Sequence, residues 1–119
     1  MGGRLSTHVL DTSRGVAAAG VAIEVYRRDA SGVLVHLKTV RTNVDGRTDG
    51  PLLLNGEFIK GVYELTFLAG DYFRAAGVEM PDPPFLDRVT IRFGIADPST
   101  AYHVPLLLSP YGYSTYRGS

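Results

Sequence analysis

The sequence predicts an all-β fold: an antiparallel sandwich of seven to eight short strands with one short helix. Three observations carry that expectation. Apolar and polar residues alternate at period two in several separate stretches. The 14 glycines and 7 prolines are scattered between those stretches as turn signals. Only one segment has helical character. The chain of 119 residues fits one domain, 1–119, with no repeat, low-complexity run or linker. At 45% hydrophobic and 20% charged residues it can fill a core.

Taken in order, residues 5–10 alternate loosely and read as the first strand. Residues 11–20 form a loop of small residues. Residues 21–26 are a half-buried strand with Val21, Ile23 and Val25 on one face. A turn at residues 29–32 leads to a return strand over 33–40, so the two make a hairpin. The polar stretch 43–50 carries two Asp/Gly turn signals. A short strand over 52–54 and a longer one over 61–68 follow. Residues 71–77 are the helical segment, which Gly77 can cap. The cluster Pro81-Asp82-Pro83-Pro84 is a rigid loop. Residues 88–95 place Val89, Ile91, Phe93 and Ile95 on one side of a strand. A further strand spans 102–108, and the tail 111–119 has room for a last short one.

The bulk properties exclude several functions. Twelve basic residues balance twelve acidic ones. That argues against broad electrostatic binding to nucleic acid or to an acidic membrane, so any ligand is held by a local cluster. With no cysteine there is no disulfide framework and no thiol nucleophile. No apolar run approaches the roughly 18 residues that cross a bilayer, and the first ten residues lack the apolar segment of a secretory leader.

The chemistry-bearing residues are few. The three histidines are His8, His36 and His103, the side chain suited to proton transfer near neutral pH. His103 opposes the Tyr102, Val104, Leu106 face of its strand and points away from the core. His36 reads as a solvent-facing residue near a sheet edge. No His-x-His or His-x3-His spacing supports a zinc site. Arg47, between Gly46 and Thr48, can present a guanidinium to an anion or a developing oxyanion, or be a solvated loop residue. Tyr111, Tyr113, Tyr116 and Arg117 give the tail an aromatic, contact-forming character. Local patterns alone also fit ordinary surface residues at each of these positions.

Several segments together resemble the transthyretin-like 5-hydroxyisourate hydrolases. They are Leu5-Ser6-Thr7-His8-Val9-Leu10-Asp11-Thr12, Thr42-Asn43-Val44-Asp45-Gly46-Arg47, Tyr102-His103-Val104-Pro105-Leu106-Leu107-Leu108-Ser109-Pro110, and a closing Tyr116-Arg117-Gly118-Ser119. They occur in order over nearly the whole chain. The resemblance implies catalytic roles for His8, Arg47 and His103. It implies a substrate pocket shaped by Tyr116, Arg117, Gly118 and Ser119, with Ser114 a further candidate. It also implies a homotetramer whose sites lie where dimers meet, hydrolysis of 5-hydroxyisourate with no metal or organic cofactor, and no nucleic-acid or membrane partner. The cytoplasm is the expected compartment, with the peroxisome open to a eukaryotic chain. The alternative is a transthyretin-type carrier of thyroid-hormone-like ligands, which shares the sandwich but lacks the combination of His8, Arg47, His103 and the tail.

Overall fold

The structure, a computed structural model, describes residues 2–118. Along them run β1 (Arg4–Asp11), β2 (Val16–Ala17), β3 (Ala22–Arg28), β4 (Leu34–Arg41), β5 (Leu53–Leu54), a 3-10 turn (Asn55–Glu57), β6 (Gly61–Phe67), α1 (Ala69–Ala75), β7 (Val89–Ile95), β8 (Ala101–Ser109) and β9 (Gly112–Thr115). One sheet has the order β2-β1-β8-β9, with β5 also paired to β1. The other has the order β4-β3-β6-β7. No helix among the described residues is long and apolar enough to cross a membrane.

The sandwich is the one the alternation predicts, and one pairing corrects it. β1 and β8 run parallel over their whole shared length, from Arg4 opposite Ala101 to Asp11 opposite Leu108. A tight hairpin turn forces its two strands to be antiparallel. β1 and β8 lie at opposite ends of the chain, so no turn dictates their relative direction. The remaining strand pairs are antiparallel. β2 lies inside the stretch expected to be loop. It is a strand because Val16 and Ala17 dock on the edge of Asp11 and Leu10, not because of a pattern of its own.

Two apolar faces meet between the sheets. Leu5 and Val9 of β1 with Val104, Leu106 and Leu108 of β8 pack against Ile23, Val25, Leu65, Phe67 and Val89 of the second sheet. Each fully buried side chain of this kind contributes about 1.5–3 kcal/mol. Burial alternates strictly along β1: positions 5, 7, 9 and 11 are buried, and Arg4, Ser6, His8 and Leu10 face outward. The buried polar residue Thr7 is satisfied by donating to the Val104 carbonyl at 2.7 Å.

α1 ends as expected at Gly77, whose φ of +81° is left-handed. The amide of Gly77 donates to the Arg74 carbonyl and that of Val78 to Phe73, which closes the last turn. The helix is tied to the first sheet through Tyr72, whose hydroxyl donates to buried Asp11 at 2.8 Å. Asp11 also accepts from Ser13 and from Arg14 Nε at 2.9 Å. Burial works to raise its carboxyl, and the hydrogen bonds from Ser13, Arg14 and Tyr72 outweigh it and hold the group below the ordinary aspartate value. His36 is exposed on edge strand β4, bonded to Thr39 and edge-on to Tyr26.

Candidate active site

The site is built on the outer face of the first sheet. β1 supplies Ser6 and His8, and β8 supplies His103. Parallel pairing sets Ser6 directly opposite His103 and His8 opposite Pro105. Cross-strand neighbours point to the same side of a sheet, so the two histidines share one face. An antiparallel arrangement would have matched different residues, so this juxtaposition depends on the direction of the pairing.

Arg47 reaches the same place from the loop after β4. Asn43 organises that loop. Its side-chain oxygen accepts from the amides of Asp45 and Arg47, at 2.9 and 3.2 Å. Its backbone N–H donates to the Arg47 carbonyl at 2.7 Å. Gly46 has a φ of +74°, and a Cβ there would collide with the Val9 carbonyl, so only glycine lets the loop lie against β1. The Gly46 carbonyl then accepts from Val9 N at 2.8 Å, and Arg47 forms a β-bridge with His8. Neither Asp45 nor Asp49 forms an ion pair with Arg47 among the described residues; Asp49 instead accepts from the Asn43 amide at 3.0 Å. The guanidinium is exposed and available.

Each imidazole is held at one nitrogen. His8 Nε2 lies 2.8 Å from the Asp45 carbonyl oxygen. A carbonyl only accepts, so Nε2 carries a proton and donates. His103 Nδ1 lies 2.8 Å from Ser6 Oγ. Burial first, and then the charges of Arg47 and His8, hold His103 below the usual histidine value. It is therefore neutral at neutral pH, with a lone pair to offer.

The tail flanks His103 on the side away from β1. Gly118 N donates to the His103 carbonyl at 2.7 Å, in the register that β9 already has with β8. Between these contacts the ladder lapses at Tyr116 and Arg117. The cause is Pro105, which lies opposite Tyr116 in that register and has no N–H to give. The Thr115 hydroxyl takes up the Pro105 carbonyl instead, at 2.7 Å.

Of the residues singled out in the sequence, His8, Arg47, His103 and Gly118 are brought together. Ser114 pairs with Leu107, four residues along from His103, and so faces the same side. Tyr116 is exposed beside them. Arg117 turns the other way: its guanidinium stacks over the Tyr102 ring at 4.0 Å and donates to the Ala101 carbonyl. There it lines a cleft of about 240 Å³ between the sheets, with Ile91, Phe93 and Val104. In one chain it therefore stands apart from the histidines. Ser119 lies outside the described residues. Two residues went unassigned in the sequence: Asn43, and Ser6, which shares the parity of His8 but meets His103 only through the parallel register.

This is a transthyretin-type sandwich whose outer sheet face carries two imidazoles and an uncommitted guanidinium, a set suited to proton transfer and to binding a polar heterocycle or oxyanion. The chain belongs to the HIUase/Transthyretin family, whose model matches residues 5–118. It is similar to "5-hydroxyisourate hydrolase 2" of Rhizobium meliloti (strain 1021), 63% identical over 118 residues that cover 98% of this chain and 97% of the relative. Among solved structures it resembles the 5-hydroxyisourate hydrolase of Klebsiella pneumoniae, with a TM-score of 0.81 and 35% identity over 98% of this chain and 99% of that one. It also resembles transthyretin from Sparus aurata, with a TM-score of 0.87 and 28% identity over 97% of this chain and 96% of that one.

Proposed function

We infer that the chain hydrolyses 5-hydroxyisourate, opening its six-membered ring at a cyclic amide bond to give 2-oxo-4-hydroxy-4-carboxy-5-ureidoimidazoline. The observation that carries this reading is the convergence of His8, Arg47 and His103 on one sheet face, in a chain 63% identical to a relative bearing that name. The carrier alternative rests on a likeness of 28% identity to transthyretin.

Ring opening needs a base for the attacking water, a partner for the developing oxyanion and a proton for the leaving nitrogen. His103 is the fitting base because it is held neutral. It takes a proton from water as the hydroxide oxygen adds to the ring carbonyl carbon. Negative charge then gathers on the carbonyl oxygen, which Arg47 is free to hold. As the carbon–nitrogen bond breaks, the proton on His103 passes to the leaving nitrogen. His8 keeps its Nε2 proton on the Asp45 carbonyl and directs Nδ1 to the water or the ring.

An open sheet face cannot by itself keep bulk water away from the reacting groups. A homotetramer supplies the missing wall: two copies of this face, set against each other across a symmetry axis, enclose the histidines between them. The exposed Tyr116 and Ser114 then become interface residues. Bacterial relatives such as the Rhizobium chain favour the cytoplasm as the place of reaction. The test is direct. Freshly generated 5-hydroxyisourate is followed by its ultraviolet absorbance with and without the protein, and unchanged decay would overturn the reading.

A further inference from the structure

We propose that Ser6 is a positioning residue for His103: its oxygen accepts a hydrogen bond from Nδ1–H, which fixes the ring's tautomer and leaves Nε2 as the basic nitrogen. The proposal rests on the hydrolase reading above and deepens it.

The ring is gripped on two opposite edges. Nδ1 faces β1 and meets Ser6 Oγ at 2.8 Å. The Cδ2 edge faces the tail, where a Cβ on Gly118 would come within 2.7 Å of it. Nδ1 and Cδ2 flank the same ring carbon, so fixing both fixes the rotation of the whole imidazole. Cε1 and Nε2 are left to project from the sheet. Only Nε2 can then reach a water or a ring lying over this face.

A neutral imidazole holds one proton, and its place decides the chemistry. If Ser6 donated to Nδ1, the proton would sit on Nε2 and the outward nitrogen could not act as a base. If Nδ1 donates to Ser6, the outward nitrogen presents its lone pair. The titratable groups that face His103 are Arg47, a standing cation, and His8. A neighbouring cation favours a lone pair on the outward side over an N–H dipole. The serine oxygen can accept, and Ser6 Oγ has no other hydrogen-bond partner among the described residues. Its own proton thus stays free to donate outward. This is the logic by which a second partner on a histidine selects its reactive nitrogen.

The test uses the intact protein in three parts. Nitrogen-15 spectra of the His103 ring in the wild type are expected to show a protonated Nδ1 and a lone pair on Nε2; the opposite tautomer overturns the proposal. Ser6→Ala is expected to lower kcat about tenfold, the order of loss that follows removal of a ring-orienting partner, with KM little changed and both tautomers visible. Ser6→Thr, which keeps the hydroxyl, is expected to restore kcat and the single tautomer. If Ser6→Ala matches the wild type in kcat, or if Ser6→Thr is as impaired as Ser6→Ala, the positioning role falls. Should the wild type itself fail to open 5-hydroxyisourate, the reading of the substrate fails, while the tautomer measurement still judges Ser6.

Discussion

Gly118 lies against the Cδ2 edge of the His103 imidazole, so close that any side chain there would enter the space of the ring: an added Cβ falls 2.7 Å from Cδ2 and 3.3 Å from Cγ. The backbone of a residue near the end of the chain thus forms one side of the seat of a central-strand histidine. Gly118→Ala should move the ring. A displacement of about 1 Å at a reacting group can cost on the order of 10²-fold in rate. We expect kcat to fall by about 10- to 100-fold, while the thermal midpoint stays within a few degrees of wild type because the tail adds little to the core. Wild-type turnover in Gly118→Ala would show that the ring tolerates the intrusion.

The rate should depend on pH through His103. Its neutral form is the active base, and burial followed by Arg47 and His8 lowers its affinity for a proton below the ordinary value of 6.5. Activity should therefore hold steady through neutral pH and decline only once the pH drops below that lowered value. Arg47→Gln removes one of the charges that resist protonation. The acid limb of kcat/KM should then move up toward 6.5, on top of any loss of rate. A limb that stays put or moves down would contradict this account. His103→Ala should lose the limb altogether, along with about 10²–10⁴-fold of the rate.

Asp11 stabilises the fold, and its contribution carries a pH signature. The carboxyl is fully buried and gathers Ser13, Arg14 and Tyr72. Asp11→Ala takes the acceptor from the buried Tyr72 hydroxyl, which keeps only its bond from Arg14, at a cost of about 1–3 kcal/mol. The folded value lies below the unfolded 3.8. The contribution is therefore complete above 3.8 and is lost as pH falls through the folded value. Urea midpoints of wild type and Asp11→Ala should differ clearly at pH 6 and converge in strong acid. A gap that persists unchanged would assign the loss to packing alone.

Assembly should be visible in solution. Light scattering is expected to report four times the chain mass, and specific activity should fall on dilution into the range where the assembly dissociates. A monomer of full specific activity would show that the sheet face works unaided.

Much of this was legible in the residues themselves. The alternation of Val21, Ile23 and Val25, and of Val89, Ile91, Phe93 and Ile95, marks strands because one face of each meets the core. The outward aim of His103 followed from the same parity. Three features were not legible. β2 exists only through its docking on β1. The direction of β8 against β1 is a choice made by the whole sandwich, and with it goes the meeting of Ser6 and His103. The orientation of Arg117 onto Tyr102 follows from the register of the tail on β8, which sets Arg117 opposite Val104 on the inner side and which no local pattern announces. His8, Arg47 and His103 came from a resemblance, since no local pattern distinguishes them from surface residues.

The strict in–out parity of β1 makes that strand a natural experiment. A saturation scan of residues 4 to 11 should sort itself by odd and even number. Changes at 5, 7, 9 and 11 will show up as lost soluble yield, because those side chains are in the interior. Changes at 6 and 8 will give full yield and poor turnover. Within a single eight-residue segment, the demands of folding and of chemistry can be read as two nearly independent columns of one data set.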